Sequence, residues 1–84
     1  MGSWLFAFTL TTEKDLDVHD TLFDTEGGMI GRILRKSPPY RGDCFTYDVE
    51  STKEIYEKLE RGEIKIYGIE KYDVSSCSTA YTKN

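Results

Sequence analysis

The sequence predicts an α+β fold of order β-α-β-β-α-β, a four-stranded antiparallel sheet with two helices on one face. Three observations carry this expectation. Aromatic residues alternate along residues 4–11 as they do in a strand. A helix-capping spacing and an apolar pair four residues apart mark residues 51–62. Between and beyond them, Gly27-Gly28, Pro38-Pro39, Gly62 and Gly68 cut the chain into segments of strand or helix length.

Within the first segment, Trp4, Phe6, Phe8 and Leu10 fall on one face at the two-residue period of a strand. Thr11 or Thr12 can then cap a helix whose first turn is acidic. Leu16, Val18, Leu22 and Phe23 have partial helical spacing, so residues 13–24 are expected to form the first helix. A strand through residues 15–18 is the competing reading. Gly27-Gly28 ends the element.

Residues 29–35 resume as a strand. Residues 36–42 form a loop, because two prolines cannot sit inside a paired strand. The third strand is residues 44–49, with Phe45, Tyr47 and Val49 on one face and Cys44, Thr46 and Asp48 on the other. Ser51 and Glu54 are spaced as a capping box, Ile55 and Leu59 form the buried stripe, and Gly62 is the stop. Residues 63–74 return to strand composition, with a turn or bulge at Gly68. Residues 75–84 are polar and aperiodic, a tail beyond a domain of residues 4–74. This order of elements is the ferredoxin-like plan.

Eighty-four residues support one modest core, and aromatics at 13% can supply much of its burial. A net charge of -4 excludes coating nucleic acid by bulk electrostatics, although not through a local basic face. Cys44 and Cys77 are too few for a zinc site or a disulfide framework, and are read as reduced thiols. The apolar run of residues 4–10 is too short to cross a bilayer. It also lacks the basic lead-in and small-residue cleavage site of a secretion signal, so a cytoplasmic or nuclear protein is expected. There is no phosphate-binding glycine loop, and His19, the sole histidine, has no marked nucleophile beside it. No enzyme activity, cofactor or membrane partner is expected.

Charge is sorted into blocks. Residues 13–26 hold six carboxylates against Lys14, whereas residues 29–41 hold four cations and no acid. Segregated charge steers encounters with a charged partner. Asp15, Asp17, Asp20, Asp24 and Glu26 are the candidate protein-binding residues, placed to meet Arg or Lys side chains or to mimic phosphates in a nucleic-acid groove. If this segment is a strand, Asp15, Asp17 and His19 share a face and can hold a divalent metal. The plain alternative is solvated surface. Arg32, Arg35, Lys36, Tyr40 and Arg41 are the nucleic-acid candidates, since guanidinium groups pair with phosphates and a tyrosine stacks on a base. Their plain alternatives are cations that keep a strand edge from pairing, or pairing with the acidic segment.

In element order, residues 4–74 resemble an RNA-recognition motif domain. Residues 5–10 (LFAFTL) resemble the short apolar motif of that family's first strand, and residues 41–48 (RGDCFTYD) partly resemble the Arg/Lys-Gly-aromatic motif of its third. The resemblance implies base stacking by Phe6 and Phe45 and a phosphate contact by Arg41. Asp43 departs from the motif by standing where an aromatic belongs. The register set by Val49, Ile55 and Leu59 departs too, since it buries Phe45, Tyr47 and Val49. The expected function is therefore a non-catalytic interaction module that binds a protein through its acidic segment and aromatic contacts, in the manner of an inhibitor or nucleic-acid mimic. Single-stranded RNA binding through the sheet and basic loop is the alternative.

Overall fold

The structure is a computed structural model that describes residues 6–37, 39 and 42–76. Trp4, Leu5, Tyr40, Arg41, Cys77 and the expected tail from residue 77 onward lie outside the described residues. The elements are β1 (Phe6–Thr12), β2 (Thr21–Phe23), β3 (Met29–Ser37), β4 (Phe45–Ser51), α1 (Lys53–Arg61) and β5 (Asp73–Ser76). They form one five-stranded sheet in the order β2-β3-β4-β1-β5, with every neighbouring pair antiparallel. Consequently β4 and β5 flank β1 and run parallel to each other, and α1 makes the crossover between them.

This architecture overturns the ferredoxin-like, four-stranded, two-helix expectation. The fold has five strands and one helix among the described residues. Residues 13–24 form neither the expected helix nor the competing strand through residues 15–18. They make an irregular loop and the short strand β2. A helix here would set like charges at Glu13 and Asp17, Asp17 and Asp20, and Asp20 and Asp24, all at spacings that face each other. The extended alternative gains a hairpin with β3, in which Leu22 lies opposite Gly31.

The expected strand over residues 63–74 is also corrected. Only Asp73–Ser76 is strand, two residues of it drawn from the segment expected to be a tail. Residues 64–72 cross the sheet instead. Lys65 and Tyr67 bond the backbone of Thr25 and Phe23 at the β2 edge, and the Lys71 carbonyl accepts from Thr12 Oγ1 at the end of β1. Ile66 and Ile69 are thereby buried in the same core cluster as Tyr56 and Leu59 of the helix. Gly68, at a φ of 86°, makes the turn.

One face of the sheet holds the core. Phe8 lies opposite Val49 and Leu10 opposite Tyr47, with Ile33 on the far side of Val49, and all five are fully buried. α1 adds Tyr56 and Leu59 from above. Burying a side chain such as Phe8 stabilises the fold by roughly 2–3 kcal/mol. The aromatic stripe of β1 therefore faces inward, as does the Phe45, Tyr47 and Val49 set of β4. The opposite face carries Thr9, Thr11, Thr46, Asp48, Glu50, Arg32 and Arg35, placed by register.

Two local devices fix this arrangement. Gly31 passes so close to β4 that a Cβ there would lie 2.2 Å from the Glu50 carbonyl oxygen. α1 is capped by Thr52, whose side chain accepts the Ile55 amide hydrogen, and not by Ser51 as its spacing predicted. Ser51 is instead a buried strand residue that donates to the Ile30 carbonyl at 2.6 Å. Gly62, at a φ of 79°, closes the helix as expected.

Candidate interaction edge

The acidic loop of residues 13–20 is held from below and from both ends. The fully buried Tyr47 donates its hydroxyl hydrogen to the Lys14 carbonyl at 2.6 Å and accepts from the Leu16 amide at 2.8 Å. Thr12 Oγ1 accepts from the Lys14 amide. Lys36 hydrogen-bonds Asp15, and its ammonium lies 4.8 Å from the centre of the Phe45 ring. That hydrogen bond, and after it the nearby charge, holds the Lys36 pKa above the ordinary lysine value despite partial desolvation.

The loop then turns into β2. The Asp20 amide donates to the Asp17 carbonyl, and His19 between them has a φ of 78°, the arrangement of a type II turn. The His19 amide donates to the Ile33 carbonyl and the Ile33 amide to Asp20, so two residues oppose one across the hairpin. This is a G1 bulge with histidine where glycine is usual. The Asp20 carboxylate steadies the turn by accepting the Asp17 amide hydrogen at 3.2 Å. Asp24 has a similar task at the next turn, where one of its oxygens accepts from both the Glu26 and Gly28 amides.

These contacts sort the predicted residues. Asp15 is spent on Lys36, whereas Asp17, Asp20, Asp24 and Glu26 pair with no described cation. Among the basic candidates, Lys36 is paired with Asp15, Arg35 lies 3.4 Å from Asp48, and the exposed Arg32 stands opposite Glu50 on the open face. Phe6 is half-buried against Tyr56, with ring centres 5.6 Å apart, and Phe45 is half-buried against Tyr47. Tyr40 and Arg41 lie outside the described residues. The acids thus follow one another through the loop before β2 and the turn after it, whereas the described RNA-type candidates are divided between the two faces of the sheet. No group of three metal-ligating side chains occurs among the described residues, and that includes Asp15, Asp17 and His19.

Sequence reasoning missed the apolar side chains beside the acids. Phe23, Met29 and Tyr67 are 44%, 45% and 71% exposed. Phe23 lies opposite Met29, and the Tyr67 amide donates to the Phe23 carbonyl at 2.8 Å. The sequence spacing instead predicts Phe23 on the inner face of a helix. The available signal was Gly68, whose positive φ marks a turn, and turns run over the surface and carry their neighbours with them. A cleft of about 210 Å³ opens here, between the Asp17–Asp20 turn, β2 and the Ile66–Ile69 turn. No helix among the described residues is long and apolar enough to cross a membrane. No family model, curated protein or solved structure matches this chain.

Proposed function

We propose that this chain is a non-catalytic interaction module that binds a protein partner along the β2 edge, in the manner of an inhibitor or nucleic-acid mimic. The observation that carries this reading is a juxtaposition. Asp17, Asp20, Asp24 and Glu26 form no salt bridge among the described residues, although Asp17 feels the charge of Lys36. The acids precede or follow the strand that carries exposed Phe23, which lies opposite Met29 and is bonded to Tyr67. Carboxylates attract a basic surface and set its register, while aromatic area supplies the desolvated contact that gives affinity. The loop is fastened to Tyr47 and β3, so little ordering cost remains at binding.

The test compares the wild-type chain with an Asp17→Lys, Glu26→Lys double variant and with Arg35→Glu as baits. A captured partner is then titrated into the isotope-labelled protein. The expected partner loses about tenfold or more in affinity to the double reversal, tolerates Arg35→Glu, and shifts amides within residues 15–29. Single-stranded RNA binding is the reading that this experiment must exclude. Saturable, salt-sensitive shifts on the open face around Arg32 and Arg35 with a pool of short RNAs would replace the proposal.

A further inference from the structure

Residues 64–72 join α1 to β5 without entering a strand of the sheet. At one end they meet β2 and its following turn through two backbone bonds. The Thr25 amide donates to the Lys65 carbonyl at 3.2 Å, and the Tyr67 amide to the Phe23 carbonyl at 2.8 Å. At the other end the Lys71 carbonyl accepts from Thr12 Oγ1 at 2.9 Å. Ile66 and Ile69 are the buried residues of the segment. Clefts of about 670, 330 and 210 Å³ flank it, towards Thr25, towards the Thr12–Lys14 bend and towards β2, and Gly68 and Ile69 line all three.

We infer that residues 64–72 are a strap that opens as one unit while the sheet and α1 stay folded, and that opening bares the outer backbone edge of β2. Three physical points support this. The strap is held by two buried isoleucines and a few isolated bonds, against the conformational entropy that the whole segment regains on release. The clefts leave its flanks without close-packed neighbours, so little lateral contact is broken as it lifts. Residues 61–63 and 70–71 are exposed, so both ends can rotate without moving a buried side chain. What remains is self-supporting. Phe8, Val49 and Ile33 are held by the β1–β4 and β3–β4 ladders, and Tyr56 of α1 stacks 5.7 Å from the Phe8 ring. Opening frees the Phe23 carbonyl and the Thr25 amide, and bare backbone groups at a sheet edge invite strand pairing. The strap thus covers that edge and holds Tyr67 beside Phe23, whether or not a partner binds there.

The test is native-state hydrogen exchange of the full chain, read by NMR through a series of urea concentrations below the unfolding transition. The Thr25 and Tyr67 amides are expected to exchange through one shared opening. Their protection should be at least about tenfold below that of the slowest β1 and β4 amides, with a smaller but measurable urea dependence. Two mild variants then separate the strap from the rest. Ile66→Val should speed Thr25 and Tyr67 by a common factor of about fivefold, because opening exposes that side chain. Ile33→Val should speed the slowest ladder amides by a similar factor and leave Thr25 and Tyr67 unchanged. If Ile33→Val speeds all of them alike, the segment opens only with the whole fold, and the inference falls. Unequal responses of Thr25 and Tyr67 to Ile66→Val, or exchange there without urea dependence, would mean separate fraying and overturn it as well.

Discussion

Tyr47 holds Leu16 from inside the core: its hydroxyl accepts the Leu16 amide hydrogen at 2.8 Å across 31 residues of sequence. The same hydroxyl donates to the Lys14 carbonyl. An acidic loop with no helix or strand of its own is thus fixed by one buried side chain. Tyr47→Phe should leave a loop carbonyl and a loop amide short of a partner, and lower stability by about 1–3 kcal/mol. Urea denaturation measures the loss, and faster hydrogen exchange at Leu16 should locate it.

The turn into β2 is strained by its own residue. His19 adopts a φ of 78° at a position that favours glycine. His19→Gly should remove the left-handed penalty, give back part of it through greater freedom of the unfolded chain, and raise stability by about 0.5–1 kcal/mol. His19→Val should lower it, since a branched side chain tolerates this conformation least. Thermal midpoints of the two variants should fall on opposite sides of the wild type.

Gly31 is required for closeness and not for flexibility. A methyl group at this position would meet the Glu50 carbonyl at 2.2 Å, with Ser51 and Val49 side-chain atoms 3.1 Å away. β3 and β4 are joined by a ladder here and cannot separate freely. Gly31→Ala should cost about 3 kcal/mol or more, read as a lower urea midpoint.

Alkaline pH should destabilise the protein through two groups. The hydrogen bond to Asp15, followed by its charge, raises the Lys36 pKa above 10.5, whereas burial, followed by the nearby Glu60, raises that of Tyr56 above 10.0. A folded-state pKa raised above the unfolded one means the fold holds its proton more tightly. The contribution is therefore fully present below the unfolded value and lost as pH climbs through the folded one. Stability should be level up to about pH 10 and fall above it. Lys36→Met and Tyr56→Phe should each flatten part of that fall in pH-dependent urea titrations.

The helix start offers a direct contrast. Thr52→Ala should cost about 1 kcal/mol, because an orphan amide at the first turn loses its acceptor. Ser51→Ala acts elsewhere. It strands the buried Ile30 carbonyl and should speed no exchange in α1, while exposing the β3–β4 pairing to faster exchange.

What could be read from sequence followed from periodicity. Phe8 and Leu10, and Tyr47 and Val49, announce β1 and β4 and their inner faces, because alternation is a local property that burial then uses. Ile55, Leu59 and Gly62 locate α1 for the same reason, although the cap falls at Thr52 since the Ser51 hydroxyl is taken by the sheet. Residues 13–24 were not legible, because what decides their path is a tyrosine far along the chain. Residues 63–72 have the composition of a strand, but their backbone groups serve the β2 edge and a turn, a choice made only once β2 exists. Among the candidate site residues, the acids were visible as a charge block. Their apolar neighbours were not, because Phe23 and Tyr67 look like core residues until the fold leaves them outside.

The position of β1 also dictates when this protein can assemble. The earliest of the described strands occupies an interior place in the sheet and must wait for both its neighbours, with Phe6 opposite Ser51 and Thr11 opposite Asp73. As the chain leaves the ribosome, β2, β3 and β4 can zip as successive hairpins, but the Phe8 and Leu10 side chains have no complete home until residue 74 and its neighbours emerge. Such distant pairings require long loops to close first, which places folding on the order of milliseconds to seconds. Until β5 is added, one side of β1 is an unpaired edge, the kind of surface that other strands can join.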